Sequence, residues 1–155
     1  MPQARVLLGT EVVMDFMNER QPFYQQTRML MVAGRVGEFD LWVTAPQVVD
    51  LVYLLSEGGN KPELLPRAME RIRGLRTFVQ VADLTAANVD RMLASSGLNP
   101  EGQLMVNAAI DLRADFLLTH EPDGLENGLV KVTNVPGMFE WLCENRDLDY
   151  TQIEI

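Results

Sequence analysis

Apolar positions along this chain follow two alternating rhythms. Val6-Leu-Leu8 is a short unbroken apolar run, the pattern of a strand covered on both faces. Helical spacing follows from about Val12 to Asn18, then from Pro22 to about Val32, with Phe23, Met29, Leu30 and Val32 as the inward residues. Gly34 and Gly37 are expected to end that second helix. Phe39-Asp-Leu-Trp-Val43 reads as the next strand. Thr44-Ala-Pro46 then starts a helix, with threonine as cap and proline in the first turn, where its missing N–H does no harm. That helix carries Val48, Leu51, Val52 and Leu55 and stops at Gly58-Gly59; Pro62 opens another, up to about Gly74.

The same alternation continues to the end. Phe78-Val-Gln-Val81 reads as a strand, Thr85 caps a helix carrying Val89, Met92 and Leu93, and Asn99-Pro100 starts another through Leu112. Ala114 to Thr119 and Leu129 to Val132 are strands, and a last helix is expected near Met138 to Cys143. Strands separated by helices of this length imply right-handed crossovers and a mostly parallel sheet. The expectation is one α/β domain over residues 1–145, with about five central strands flanked by helices. The tail, 146–155, alternates Tyr150, Ile153 and Ile155; it is expected to add an edge strand or to dock on a partner.

Composition narrows the class. No apolar run approaches the ~20 residues of a membrane span, and MPQARVLL lacks the apolar core and cleavage site of a secretory signal. The single cysteine, Cys143, cannot form an internal disulfide and reads as a packed thiol, in keeping with a cytoplasmic setting. The formal charge of −9 repels phosphate backbones. Arg67, Arg71, Arg73 and Arg76 read as a solvated helix face beside Glu63 and Glu70.

In a parallel sheet, ligands bind beyond the carboxyl ends of the strands. The acids placed there are Glu11, Asp50, Glu101, Glu121 and Asp123. Converging carboxylates of this kind suit Mg²⁺ or Mn²⁺, which take hard oxygen ligands. The order of segments carries a resemblance: RVLLGTEVVMDFMNERQPFY, then GEFDLWVTAPQVVDLVYLL, then PEGQLMVNAAIDLRADFLLTHEPDGL, then VTNVPGMFEWL. From Arg5 to about Leu142 the chain resembles the PIN domain, the fold of toxin-type ribonucleases in bacterial toxin–antitoxin pairs.

The resemblance implies metal-binding acids at four places. The first falls on Gly9, with Thr10 retained and Glu11 where asparagine would stand. The second falls on Asp50, which agrees. In the third segment Glu101 matches, but the aspartate falls on Gly102; the last falls on Gly124, with Asp123 one place earlier. Glycine offers no carboxylate, so the expectation is a degenerate, weak or inactive nuclease centre kept for a protein-interaction role. The alternative is an active Mg²⁺- or Mn²⁺-dependent endoribonuclease toxin, with Asp50, Asp123 and a rerouted Glu11 as ligands and catalytic residues, and RNA as substrate.

Glu11 also reads as a favourable acid at a helix N-terminus, and Asp15 lies one turn further on the same face. His120 reads as a lone loop histidine. The resemblance further implies a homodimer and an antitoxin-type protein partner, with the helices from Val12 to Val32 as the contact face. A third reading, an α/β protein binding a small nucleotide, lacks the phosphate-binding glycine pattern it would need.

Overall fold

The computed structural model describes residues 3–153. Val6, Leu7 and Leu8 are fully buried because their strand is the middle one of five. The strands are β1 (Ala4–Leu8), β2 (Phe39–Thr44), β3 (Val79–Ala82), β4 (Phe116–Leu118) and β5 (Lys131–Thr133), in the order β3-β2-β1-β4-β5. Every pairing is parallel, so the sheet is all-parallel. Among the described residues six α-helices lie between strands, α1 (Thr10–Met17), α2 (Tyr24–Arg35), α3 (Ala45–Leu55), α4 (Leu65–Arg76), α5 (Ala86–Ala94) and α6 (Pro100–Leu112), and α7 (Val135–Arg146) follows β5.

The two-residue period of β1 sorts its side chains into two cores. Val6 and Leu8 face one layer with Val12, Leu30, Leu51, Ile72 and Met138 from α1, α2, α3, α4 and α7. Leu7 faces the other with Val106 and Ala109 of α6, and Leu117 joins it. Burying each large aliphatic side chain contributes about 1.5–3 kcal/mol relative to leaving it exposed. The apolar residues of α1 and α2 are used in this core, with Val12, Val13, Met14, Leu30 and Met31 at most 2% exposed. These residues are therefore not available to a partner, and the expected contact face over Val12 to Val32 is left with its half-buried and exposed side chains. Phe23, expected inward, is 44% exposed and lies against a histidine ring.

Several boundaries moved for local reasons. Gly34 does not end α2 but is buried inside it: a Cβ there would stand 2.3 Å from Leu41 Cδ1, so glycine lets the helix press onto β2. The stop is Gly37, at φ +89°. α7 begins at Val135, three residues before the expected start, because the Asn134 side chain accepts from the Gly137 N–H at 2.8 Å. On α7, Met138, Phe139 and Leu142 turn inward and leave Cys143 exposed, so it is not a packed thiol.

The tail forms a short 3-10 turn, Tyr150–Gln152, rather than a strand. Tyr150 is buried, stacks near Phe39 and Phe139, and donates its hydroxyl to Glu38 at 2.7 Å. Burial first, and the Glu38 carboxylate second, push the phenol well above its ordinary value. Ile155 lies outside the described residues.

α6 is held on α5 by one polar junction. Asn88 is buried, completes a capping box with Thr85, and donates to Asp111 at 2.6 Å; Arg91 reaches the same carboxylate at 3.3 Å. The Asn88 hydrogen bond, ahead of Arg91, holds the Asp111 carboxyl below its usual range. Its stabilisation is present above the unfolded value of ~3.9 and is lost as pH falls through the lowered folded value. Asp111→Asn is therefore expected to lower the neutral plateau of a stability-against-pH curve while leaving its acid end nearly unchanged, so that the acid limb flattens. An unchanged acid limb would show that the junction contributes nothing.

Candidate functional site

β1 and β4 are neighbours in space, but the chain leaves β1 toward β2 on one side and β4 toward β5 on the other. This is the topological switch point, where a parallel sheet is expected to open a crevice. A cleft of about 600 Å³ lies there. Its lining includes Gly9, Glu11, Asp50, Glu101, His120 and Glu121.

Gly9 ends β1 and is the N-cap of α1, its carbonyl accepting from Val12 N–H at 3.1 Å and Val13 N–H at 3.3 Å. Its φ of −67° suits any residue. Space is what requires glycine here. Its N–H donates to the Leu118 carbonyl at 2.7 Å, and a Cβ would stand 2.7 Å from that same oxygen. The bond closes the Leu8–Leu118 pair, at the place where the family pattern would set an aspartate.

Gly102 is crowded by side chains. It sits in the first turn of α6, its N–H capped by Asn99 Oδ1 at 2.9 Å. A Cβ there would lie 2.6 Å from Asn99 Nδ2 and 2.9 Å from Leu125 Cδ1. Gly124 is different: nothing stands within 4 Å of a Cβ, but φ is +82°, in a tight turn closed by Leu125 N–H on the Pro122 carbonyl at 3.2 Å. An aspartate there would be strained by its backbone.

The surviving acids are only partly gathered. Asp50 is exposed on α3 and lines the cleft, as do Glu11, Glu101 and Glu121, whereas Asp123 is exposed on the turn and is not part of the lining. Glu11 is engaged already, its carboxylate accepting from Arg20 at 2.9 Å. Among the described residues, no three His, Cys, Asp or Glu side chains come close enough to hold a metal ion. These residues, as arranged, do not fit a Mg²⁺ or Mn²⁺ centre, which needs several oxygens at about 2.0–2.1 Å for Mg²⁺.

Two groups went unread in the sequence. Gln47 is buried below the cleft: its Oε1 accepts from Thr44 N–H at 2.7 Å, and its Nε2 donates to the Leu8 carbonyl at 2.8 Å and to Thr10 Oγ1 at 3.2 Å. One amide thus ties the end of β1, the start of α1 and the cap of α3 together. The spacing of Thr44 and Gln47, a capping-box signature, was the available signal.

The second group is Asp15 with His120. The Asp15 side chain is 2% exposed, and its Oδ2 lies 2.6 Å from His120 Nε2. A carboxylate and a ring nitrogen at this distance share one proton between them. Oδ1 has no hydrogen-bond partner; Arg20 Nη1 stands 3.8 Å away. The Phe23 ring covers the imidazole with centroids 4.6 Å apart. The contact joins residues 105 apart in sequence, so no local pattern announced it. His120→Ala would leave a buried carboxylate short of its donor. The expected cost is about 2–3 kcal/mol, or roughly 4–12 °C in the melting temperature at this chain length. A melt within a degree of the parent would show that Arg20 alone satisfies Asp15.

The same architecture recurs among solved structures. A chain of the crystal structure of VapBC2 from Rickettsia felis, bound to a DNA fragment from their promoter, matches with a TM-score of 0.58 at 14% identity, covering 84% of this chain and 98% of that one. A chain of DNA-bound VapBC from Salmonella typhimurium matches with a TM-score of 0.62 at 12% identity, covering 86% and 99%. Identity this low speaks to the fold alone. No curated protein matches the chain in sequence. The PIN domain family model matches residues 5–123, from β1 through the turn beyond β4. With both the switch-point crevice and the segments around it accounted for, the chain belongs to the PIN domain family.

Proposed function

We propose that this chain is a toxin-type PIN protein whose metal-dependent ribonuclease centre is degenerate and which acts by protein contact. The observation that carries the reading is the contact at Gly9. A lost ligand could be restored by one substitution if the space remained, but here the Leu118 carbonyl stands where a side chain would begin. Glu11 is paired with Arg20 through one carboxylate oxygen, which supports an ion-pair role for it over a ligand role.

The second reading is an active Mg²⁺- or Mn²⁺-dependent endoribonuclease using Asp50, Asp123 and Glu11. It is favoured by one observation, that Glu11, Asp50 and Glu101 line a single cleft. Thermal unfolding across a Mn²⁺ titration separates the two. A site filled to 100 times its dissociation constant would add about 2.7 kcal/mol, or roughly 5–11 °C. The degenerate reading predicts a flat titration for the metal-stripped protein and for Asp50→Asn alike. It also predicts that Gly9→Asp lowers stability by about 1–3 kcal/mol through overpacking and gains no metal response. A Mn²⁺ shift in the parent that Asp50→Asn abolishes would overturn it.

The two VapBC structures named above support an antitoxin-type partner for this chain, the family resemblance adds a homodimer, and the single cysteine keeps the cytoplasm as its setting in this reading. Purified alone, the chain is expected to sediment as a dimer. A monodisperse monomer at micromolar concentration would remove the homodimer from the proposal.

A further inference from the structure

A groove of about 620 Å³ runs between α3 and α4 over β2 and β3. Its floor is Val43, Leu51, Ile72 and Val79, each at least nine-tenths buried. Its lips are apolar too, with Val49 58% and Met69 44% exposed. A groove with an apolar floor and apolar lips offers surface against which a partner helix can bury its own apolar side. Methionine on its lip suits a surface that adapts to another side chain.

The charge around the groove is opposite to that of the molecule. The chain carries −9 overall, yet α4 holds Arg67, Arg71, Arg73 and Arg76 against Glu70. Arg73 and Arg76 line the groove itself. Arg76 donates to the Val79 carbonyl at 3.2 Å, and Arg71 to the Met17 carbonyl. No α4 arginine forms a salt bridge among the described residues. Fixed cations beside an apolar trough define a complementary ligand: apolar along one side, acidic along the other.

We propose that the α3–α4 groove docks an acidic amphipathic helix of a partner protein, its apolar side on Val49 and Met69 and its carboxylates beside Arg73 and Arg76. Helix-in-groove recognition reads anchors three and four residues apart, and acids opposite the arginines steer the encounter. Two other occupants fit less well. A second copy packed about a twofold axis would bring the same α4 arginines to both sides of one seam. Single-stranded RNA needs aromatic platforms for its bases, and the groove lining holds no aromatic residue.

The inference rests on the interaction reading above but uses a different surface, since Asp50 lines the cleft while Val48, Val49 and Val52 line the groove. The test is methyl NMR of the full chain, titrated with three synthetic amphipathic peptides of about four helical turns each. They share their leucines and carry Glu, Gln or Lys at the remaining positions. The Glu peptide is expected to shift the Val49, Met69 and Ile72 methyls and to bind at least ~10-fold more tightly than the Lys peptide, a preference that shrinks with salt. Arg73→Glu should erase the preference, Met69→Glu should abolish binding, and Asp50→Asn should change neither.

Equal affinity for the Glu and Lys peptides, no binding, or shifts elsewhere would overturn the proposal. So would displacement of the Glu peptide by an RNA oligonucleotide. Self-association lost in Met69→Glu would assign the groove to a second copy and likewise overturn it. A flat Mn²⁺ titration combined with no peptide binding would leave the degenerate centre standing and remove only this docking surface.

Discussion

One hydrogen bond governs the character of this molecule: the Gly9 N–H on the Leu118 carbonyl, 2.7 Å long. It closes the last pair of the β1–β4 ladder, Leu8 with Leu118, at the carboxyl end of both strands where the crevice opens. Without a Cβ, Gly9 allows the approach and still caps α1 through its carbonyl. Where the family resemblance implies a charged ligand, this chain offers backbone alone. The three glycines at ligand positions are thus built into their surroundings by three separate means: a backbone contact at Gly9, side-chain crowding at Gly102, and a positive φ at Gly124.

Around that rung, buried polar groups fix the cleft rather than serve it. Gln47 has both ends of its amide engaged with backbone from two strands and shares Thr10 besides. Asp15 draws α1, the α1–α2 connection and the loop after β4 together through Arg20, Phe23 and His120. A buried carboxylate is stable only with donors around it, so this network constrains where the cleft wall stands. The acids that remain on the rim, Asp50, Glu101 and Glu121, are exposed.

Periodicity carried most of the fold. β1, β2 and β3 lie where apolar runs and alternation put them, and the parallel order followed from the helices between. The misses have physical causes. Gly34 looked like a stop because sequence does not reveal that Leu41 packs against its bare face. Phe23 looked like core because helical spacing ignores the imidazole that it covers from outside. At the site, the order of segments located Glu11 and Asp50 on the cleft but counting could not place Asp123, whose turn carries it away from the lining. The Asp15–His120 contact, between residues distant in the chain, was invisible to any local rule.

The two borders of the sheet bear on how this protein can meet others. β5 has three residues and β3 has four, and Lys131 sits on the first of them. Borders so short offer few free backbone groups for another chain to zip onto, and a lysine there discourages it further. Association by strand addition, the route to runaway stacking, is thereby discouraged. Contacts made instead through side chains on the helices are selective and readily altered by single substitutions.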